Sequence, residues 1–560
     1  MMTNTKDKDS LAFQTKCRAL EPSIGAEKAT QLWQAYSVMD GEDRLELEEQ
    51  IRLLANINLN MDVQDTTPVF LPPKPADSSG DILIGSVYYN QKERHSFSMR
   101  YPELMGHIAY FGQTGSGKTN NAHLLATGLK KKGIPLWVCD FKRTWRELQS
   151  LPEFNDLLVF TVGRDSVAPI SFNPLIPIEG VDPQTHIKLI VAVLAQAFFL
   201  GEGVIYLLQV CISELYQEFG IYDGIPKRYP TFRDLLKKVK NYPIKSGRES
   251  LWLSSAMRTI HSLCFGPMDT VVNAQGNTSL KDLVDKAVVF EMDALTQADK
   301  VFFSEAIMLW LYQYYQARQA REQLQHVLIL EEAQNLAPRS QDSSSSRDLV
   351  DVLFSQCREY GLGLVLIAQM PSMISRSALA NIHTFVASGV KEKTDAAALQ
   401  SVMLLDLDQM NALGKLPLGT SVVRVQRHGV TEAFMMRAPK VPIIKGSVSD
   451  SDVRTAMIPY IGLIQPQESA TQTAVEFSLT ESELAFLKDV AIMPESGVVA
   501  RYTRLGLSGR QGDKAKRALI DLGLIEETER LTQKGRTKVI RLTESGKRFL
   551  EANTSGLQPE

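Results

Sequence analysis

"HIAYFGQTGSGKT", residues 107–119, joins an apolar run to a glycine-rich loop. Gly112 to Thr119 match the phosphate-loop pattern G-x-x-x-x-G-K-[ST] in full. A helical segment follows and ends in "LKKKG" near Gly133. Backbone N–H groups of such a loop, together with the N-terminus of the next helix, bind phosphate oxygens. The stretch therefore predicts a strand, a loop and a helix that hold a nucleotide within an α/β fold.

The residues of this loop have separate expected roles. Lys118 would bridge the terminal phosphates of ATP, and the Thr119 hydroxyl would hold Mg²⁺. The whole predicted cofactor-binding set is Gly112, Gln113, Thr114, Gly115, Ser116, Gly117, Lys118, Thr119 and Asn120.

A second apolar run, "VLILEEAQN" at 327–335, brings two carboxylates to the end of a predicted buried strand. Ligands bind at the carboxyl ends of strands in open α/β sheets. We therefore expect Glu331 to contact the metal, directly or through water. Glu332 would act as general base on the attacking water. The alternative is that both glutamates only begin a solvated helix.

Two more polar residues lie at the ends of another apolar strand, "LVLIAQ" at 364–369. Gln369 ends this run. An amide at this place can sense whether a γ-phosphate is bound and can orient the attacking water. Arg358, in "CREYG" just upstream, can reach the ATP of a neighbouring subunit in a ring and stabilise transition-state charge. The alternatives are an ordinary exposed strand end for Gln369 and a surface arginine for Arg358.

From about 107 to 440 the chain alternates short β-rich runs with helical segments, which predicts an α/β domain with a mostly parallel sheet. A helix-rich insertion is expected at about 185–323. Asp140, Lys142 and Arg143 follow one predicted strand, near where the nucleotide could lie, and are interpreted as surface charges in preference to a role at the nucleotide. The candidate core strands are 107–112, 134–140, 287–293, 326–332, 362–369 and 383–390.

Length and composition limit the number of domains and the class of protein. The 560 residues, 44% of them hydrophobic, are enough for roughly three or four domain-sized units, and a net charge of -3 gives no global attraction to nucleic acid. The five scattered cysteines and the polar amino terminus favour a reduced, cytoplasmic protein. The most apolar run, Leu189 to Leu200, is shorter than the roughly 20 residues of a membrane span. We expect a soluble chain without a membrane partner.

The regions around the nucleotide domain differ in composition. We predict a small helical region at 1–64, a linker rich in Pro and Ser at 65–80 and the nucleotide domain at 81–440. A second, polar linker is expected at 441–472, before a separate carboxy-terminal domain at 473–560.

The carboxy-terminal domain is predicted to contain three helices, a hairpin and a final helix, an order that resembles a winged helix-turn-helix. Thirteen Lys/Arg against six Asp/Glu lie between Arg501 and Arg548, so this segment is locally basic. The alternative to DNA binding is a protein-docking unit. The predicted DNA contacts are Lys514, Lys516 and Arg517 on the recognition helix, and Lys534, Arg536 and Lys538 on the wing.

The string "FSQCREYGLGLVLIAQMPSMISRSALANIHTFVASGVKEKTDAAAL" at 354–399, with "LILEEAQN" and "GQTGSGKT" before it, resembles the HerA/FtsK superfamily of hexameric DNA-pumping ATPases, and HerA-like proteins most closely. The likeness covers roughly residues 80–440. It implies a RecA-like core, a homohexameric ring, Mg²⁺-dependent ATP hydrolysis and double-stranded DNA in the central channel. It also implies a separate nuclease or NAD-degrading effector as partner, as in antiphage systems of this family.

Two features depart from that family. Relatives often carry arginine after the sensor glutamine, whereas this chain has Met370 in "QMPS". The amino-terminal barrel of HerA relatives is not evident, because residues 80–100 have enough chain for only two or three strands. We expect the helical region to replace that barrel or to be an addition.

Three functions remain open on the sequence. The preferred one is an ATP-driven double-stranded DNA translocase or helicase of HerA type. The second is a hexameric scaffold that assembles and activates an effector, with ATP hydrolysis as regulation. The third is a conjugation or secretion ATPase, which the absence of membrane segments disfavours.

Overall fold

The fold was derived from a computed structural model. It describes residues 4–39, 41–59, 70–226, 228–244, 246–273, 278–319, 321, 323–339, 349–460, 480–494, 496–521, 524–532, 535–543, 547 and 550. The chain divides into two compact units, Met1–Gln467 and Glu468–Glu560. Each unit is described by itself.

One sheet organises the first unit. Its order is β2-β1-β11-β10-β9-β3-β8-β7-β4-β6-β5. The eleven strands are β1 (Ile82–Tyr89), β2 (Lys92–Met99), β3 (Ile108–Phe111), β4 (Leu136–Asp140), β5 (Leu158–Thr161), β6 (Ala287–Glu291), β7 (His326–Glu331), β8 (Leu362–Ala368), β9 (Thr384–Ser388), β10 (Thr420–Val425) and β11 (Phe434–Arg437).

The strands from β9 to β5 are parallel to one another, and β10, β11, β1 and β2 continue the sheet in antiparallel pairs. Every residue of β3, β4, β6, β7 and β8 is buried. Strands covered on both faces form near-continuous apolar runs, which is why these five were visible in the sequence. The predicted mostly parallel α/β sheet is confirmed.

The helices of the first unit lie largely on this sheet and in one insertion. They are α1 (Asn4–Ile24), α2 (Ala26–Val38), α3 (Glu42–Leu59), α4 (Tyr101–Met105), α5 (Lys118–Lys131), α6 (Pro183–Phe198), α7 (Glu202–Glu218), α8 (Phe232–Lys240), α9 (Gly247–Leu263), α10 (Pro267–Val272), α11 (Leu280–Leu283), α12 (Gln297–Arg318), α13 (Leu349–Cys357), α14 (Arg376–Ala380), α15 (Lys393–Met403), α16 (Leu407–Ala412) and α17 (Asp450–Met457).

The helical insertion is shorter than expected. It begins with α6, where the Asp182 carboxylate accepts the N–H of Thr185 and Pro183 occupies the first turn. It ends with α11, because β6 then returns to the sheet and pairs with both β4 and β5. The predicted extent of 185–323 was therefore too wide, since it included one core strand and the buried helix α12.

The amino-terminal helices pack against the edge of the sheet. Phe13, Cys17, Tyr36 and Ile51 form a small core with Tyr89 of β1. The Tyr89 hydroxyl also donates to the carbonyl of Ala19 over 2.8 Å. The expected helical region is therefore present at 4–59. Strands β1 and β2 extend the main sheet through β11.

The second unit contains α18 (Glu481–Ile492), α19 (Val498–Arg504), α20 (Gly509–Asp521) and the antiparallel hairpin β12 (Ile525–Thr532) and β13 (Gly535–Leu542). Its apolar core includes Phe486, Leu487, Leu519 and Ile540. Arg501 is buried against Asp489, with 2.8 Å between Nη1 and Oδ2. The described elements are three helices followed by a hairpin, and the winged helix-turn-helix stays a prediction. Most of the expected final helix lies outside the described residues.

Candidate nucleotide site

The glycine-rich loop connects β3 to α5, as the sequence predicted. Gly112, Gly115 and Gly117 have φ values of 147°, 80° and 107°, a region that favours glycine. A Cβ at Gly112 would lie 2.6 Å from the Ser116 hydroxyl and 2.7 Å from the Ser388 carbonyl oxygen. The loop conformation therefore requires glycine at its first position for space as well as for dihedral angle.

The loop has unused donors that fit a polyphosphate. Among the described residues, the backbone N–H groups of Thr114, Gly115 and Gly117 donate to no other group. No side chain caps the N-terminus of α5 at Gly117. The buried Ser116 hydroxyl also lacks a partner. Several donors beside a helix N-terminus form an anion site, so these residues fit the phosphates of ATP.

Lys118 lies across this loop. Its ammonium donates to the carbonyl oxygens of Gly112 and Gln113 over 2.5 Å and 2.9 Å. Burial lowers its pKa to about 8. The lysine is therefore a desolvated cation beside the unused N–H groups, where it can neutralise a terminal phosphate.

The carboxyl ends of four adjacent strands bring the predicted site residues together. In the order β3-β8-β7-β4, these strands are followed by the glycine loop, Gln369, Glu332 and Lys142. Thr114 Oγ1 donates to Gln369 Oε1 over 2.9 Å, and Gln369 Nε2 donates to Glu332 Oε1 over 2.9 Å. A continuous hydrogen-bonded path therefore links the loop to the predicted general base.

Glu332 is held by three donors. Besides Gln369, Gln334 Nε2 donates to Glu332 Oε2 over 2.6 Å, and the Lys142 ammonium forms an ion pair with Oε1. Burial raises the pKa of this carboxyl, but the hydrogen bonds from Lys142, Gln334 and Gln369 outweigh it and hold the pKa below its ordinary value. The backbone of Glu332 has φ 49°, an uncommon left-handed conformation for a residue other than glycine. Such conformations concentrate at functional sites.

Glu331 and Asp140 form a buried pair. Trp145 Nε1 donates to Glu331 Oε1 over 3.1 Å, and the Phe141 N–H donates to Oε2 over 3.2 Å. Asp140 is completely buried and accepts the N–H groups of Lys142, Thr144 and Trp145. The interpretation of Asp140 as a surface charge was therefore wrong. Burial, and then the charge of Glu331, raise the pKa of Asp140.

These contacts constrain how Mg²⁺ fits the site. Thr119 lies half-buried in the first turn of α5, next to Lys118. Both oxygens of Glu331 already accept protein hydrogen bonds and the residue is 5% exposed. The Thr119 hydroxyl can be a direct ligand. Glu331 suits a contact through water, the second of the two routes expected from the sequence.

Comparison with solved structures identifies the fold. VirB4 of Thermoanaerobacter pseudethanolicus matches with a TM-score of 0.50 and 14% identity, over 65% of this chain and 98% of that one. The fold is that of the RecA-like P-loop ATPases. TrwB, a plasmid coupling protein in complex with an ATP analogue, aligns at a TM-score of 0.47 and 13% identity over 62% of this chain and 89% of its own. No family model and no curated protein sequence matches this chain.

Residues 439–457, here called the strap, cross the same edge of the RecA-like core. Asn120 Nδ2 donates to the Pro439 carbonyl and Asn120 Oδ1 accepts the Val441 N–H, both over 2.9 Å. Further along, the Gly446 N–H donates to Glu147 over 3.0 Å. The strap uses both ends of the Asn120 amide that was assigned to the cofactor. The expected linker at 441–472 is folded onto the core up to residue 460.

The strap also completes a buried charge cluster at the end of β6. The fully buried Glu291 accepts from Arg146 Nε over 2.6 Å and Nη2 over 2.5 Å, and from Arg164 over 3.2 Å. Asp450 of the strap accepts from Arg146 Nη1 over 2.8 Å and from Arg143 Nη2 over 2.8 Å. Arg143, interpreted as a surface charge, belongs to this cluster.

We expect Glu291→Gln to lower the free energy of unfolding of the first unit by about 3 kcal/mol, because the buried Arg146 guanidinium loses its buried carboxylate and keeps only the partly exposed Asp450. The denaturant midpoint measures this loss. Glu153→Gln is the matched control, since Glu153 pairs with Lys131 at the surface, and its midpoint should equal that of the wild type. A Glu291→Gln midpoint equal to the control would contradict the assignment.

Arg358 is not part of its own protomer's nucleotide site. It precedes β8, whereas Gln369 follows that strand, so seven strand residues separate them by about 20 Å. Arg358 is exposed and its guanidinium contacts His383 Nε2 over 3.0 Å. Any contact between Arg358 and a nucleotide must therefore involve another subunit.

The predicted DNA contacts of the second unit were assigned to the recognition helix and to the wing. Lys514 and Arg517 are exposed on α20, whereas Lys516 is half-buried and bonds to Glu527 over 3.2 Å. In the backbone register of the hairpin, Arg536 and Lys538 of β13 lie opposite Leu531 and Glu529 of β12. Lys534 lies outside the described residues.

Proposed function

We propose that this chain is a Mg²⁺-dependent ATP hydrolase of HerA type that moves double-stranded DNA through a homohexameric ring. The observation that carries the hydrolase assignment is the hydrogen-bonded path from Thr114 through Gln369 to Glu332. It connects the loop that would hold the phosphates with the carboxylate that would activate water. Phosphoryl transfer needs little covalent chemistry from the protein, so positioning and charge stabilisation suffice.

Each residue would act from its observed place. The unused loop N–H groups and Lys118 would bind and neutralise the β- and γ-phosphates. Thr119, with Glu331 through water, would hold Mg²⁺, which supplies charge neutralisation on the phosphate oxygens when bound. Glu332 would accept a proton from the attacking water, and Gln369 would orient that water and respond to the γ-phosphate through Thr114.

The ring is supported by the location of Arg358. An exposed arginine at the edge opposite the nucleotide loop can act only on a neighbour's ATP, and closed rings bring unlike edges of identical subunits together. Arginine supplied in trans stabilises transition-state charge in many NTPases. Mixed rings of Arg358→Ala and Lys118→Ala subunits would regain turnover if this assignment is correct.

The DNA assignment relies on the resemblance and on the exposed cations of α20. Lys514, Arg517 and Arg510 lie within three turns of one helix and can neutralise phosphates. The amino-terminal helices and the second unit would be the parts that dock a nuclease or NAD-degrading effector.

A conjugation or secretion ATPase is the second candidate, because VirB4 matches this chain with a TM-score of 0.50. In the described part of the chain, no helix combines the length and apolarity that crossing a bilayer requires. No observation favours the effector scaffold specifically. It differs from the motor in that DNA should not change the rate of ATP hydrolysis.

The test is ATP turnover with and without duplex DNA. We expect duplex to raise turnover, and the rise to fall steeply with added salt. Lys514→Glu/Arg517→Glu should lower the salt slope of DNA binding by about two, whereas Lys488→Glu on α18 should leave it unchanged. Turnover that duplex DNA leaves unchanged would favour the scaffold or the conjugation-type ATPase.

A further inference from the structure

Lys142 is the one cation seen in contact with the predicted general base among the described residues. It follows β4 by two positions, and its backbone N–H donates to Asp140 Oδ1 over 2.9 Å. The neighbouring N–H groups of Thr144 and Trp145 are held by Asp140 Oδ2. A buried carboxylate therefore fixes the backbone at Lys142 and in the residues that follow it.

The side chain of Lys142 is exposed, in contrast with its carboxylate partner. Its side chain is 51% exposed, whereas that of Glu332 is 16% exposed. Lys118 is 8% exposed, so of these two lysines Lys142 is the one whose ammonium can turn toward solvent.

Three contacts occupy most of the roughly four lone-pair sites of the Glu332 carboxylate. Oε1 accepts from both Lys142 and Gln369, and Oε2 accepts from Gln334. A general base must offer a lone pair to the water it deprotonates. Gln369 belongs to the path from the nucleotide loop, so it is required for positioning. Lys142 occupies a lone-pair site of Oε1 and therefore opposes proton transfer.

We propose that Lys142 restrains Glu332: the ion pair holds the carboxylate in a resting arrangement, and water activation proceeds fully only when the ammonium leaves Oε1 for another anion. Lys142 is thus a positioning residue that acts through Glu332. This inference rests on the proposed ATP hydrolysis. It assigns to Lys142 the control of turnover in the absence of DNA.

The test is steady-state ATP hydrolysis without DNA by wild type and Lys142→Met, which keeps the aliphatic stem and removes the charge. We expect kcat to rise about two- to fivefold with KM unchanged. This factor corresponds to the free energy of a half-exposed ion pair. Lys142→Arg should retain the ion pair and restore wild-type turnover. Lys131→Met is the matched control. Lys131 is the last residue of α5, is 58% exposed and pairs with Glu153.

Two further measurements keep the outcomes distinct. Lys142→Met/Glu332→Gln should be as inactive as Glu332→Gln, and a gain that persists in this double variant would overturn the proposal. If the wild type hydrolyses ATP and Lys142→Met has an equal or lower kcat, the restraint by Lys142 is overturned. The hydrolase assignment then still stands. If neither protein hydrolyses ATP although both bind a fluorescent ATP analogue, both proposals are overturned.

Discussion

Glu332→Gln is expected to bind ATP and Mg²⁺ with wild-type affinity and to hydrolyse ATP about a hundred- to ten-thousandfold more slowly. The amide keeps the size of the side chain and can still accept from Gln369, so the path to Thr114 persists. It cannot accept the proton of the attacking water. Single-turnover hydrolysis measured beside equilibrium binding of a fluorescent ATP analogue separates the two effects.

The control for this variant is Glu359→Gln. Glu359 lies at the opposite edge of the sheet in an exposed pair with Arg321, and its loss should leave turnover unchanged. Near-normal hydrolysis by Glu332→Gln would remove Glu332 as the base. The buried Glu331 would then be the remaining carboxylate at this strand end.

Lys118→Ala is expected to weaken binding of ATP by at least about a hundredfold and to abolish turnover, since it removes the charged hydrogen bonds to the terminal phosphates. Burial lowers the pKa of Lys118 to about 8, so the charged side chain costs folding free energy and its loss should not unfold the protein. Isothermal titration with an ATP analogue measures the affinity.

Lys132→Ala is the matched control for Lys118→Ala. Lys132 is an exposed lysine that follows the other end of α5, and its variant should bind ATP as tightly as the wild type does. Tight binding by Lys118→Ala would show that the loop N–H groups alone hold the nucleotide and would remove the lysine from the site.

The parts of the site that the sequence predicted have one physical cause. Strands buried on both faces are continuous apolar runs, so their carboxyl ends are marked by the first polar residue. Gln369 and Glu331 are such residues, and Glu332 follows Glu331 directly. Gly112 to Thr119 carry a separate pattern of their own. Because parallel strands end at one edge, convergence of these residues followed from the strand prediction.

The parts that were missed depend on contacts between distant segments. Asp140 also follows an apolar run, but its burial arises because the loop after β4 folds back and supplies three N–H donors. The ion pair of Lys142 with Glu332 joins residues 190 positions apart that follow separate strands, β4 and β7, which no local pattern encodes. The same holds for the strap, where a polar stretch resembling a linker is fixed by Asn120 and Arg146.

Strand displacement from a DNA triplex tests the central claim most directly. A ring that moves along duplex DNA by ATP hydrolysis should release a third strand at a rate that depends on ATP and Mg²⁺. Glu332→Gln should bind the same DNA and release none. Release by the wild type that stops with this variant is the predicted result. ATP hydrolysis stimulated by duplex DNA without any release of the third strand would contradict translocation.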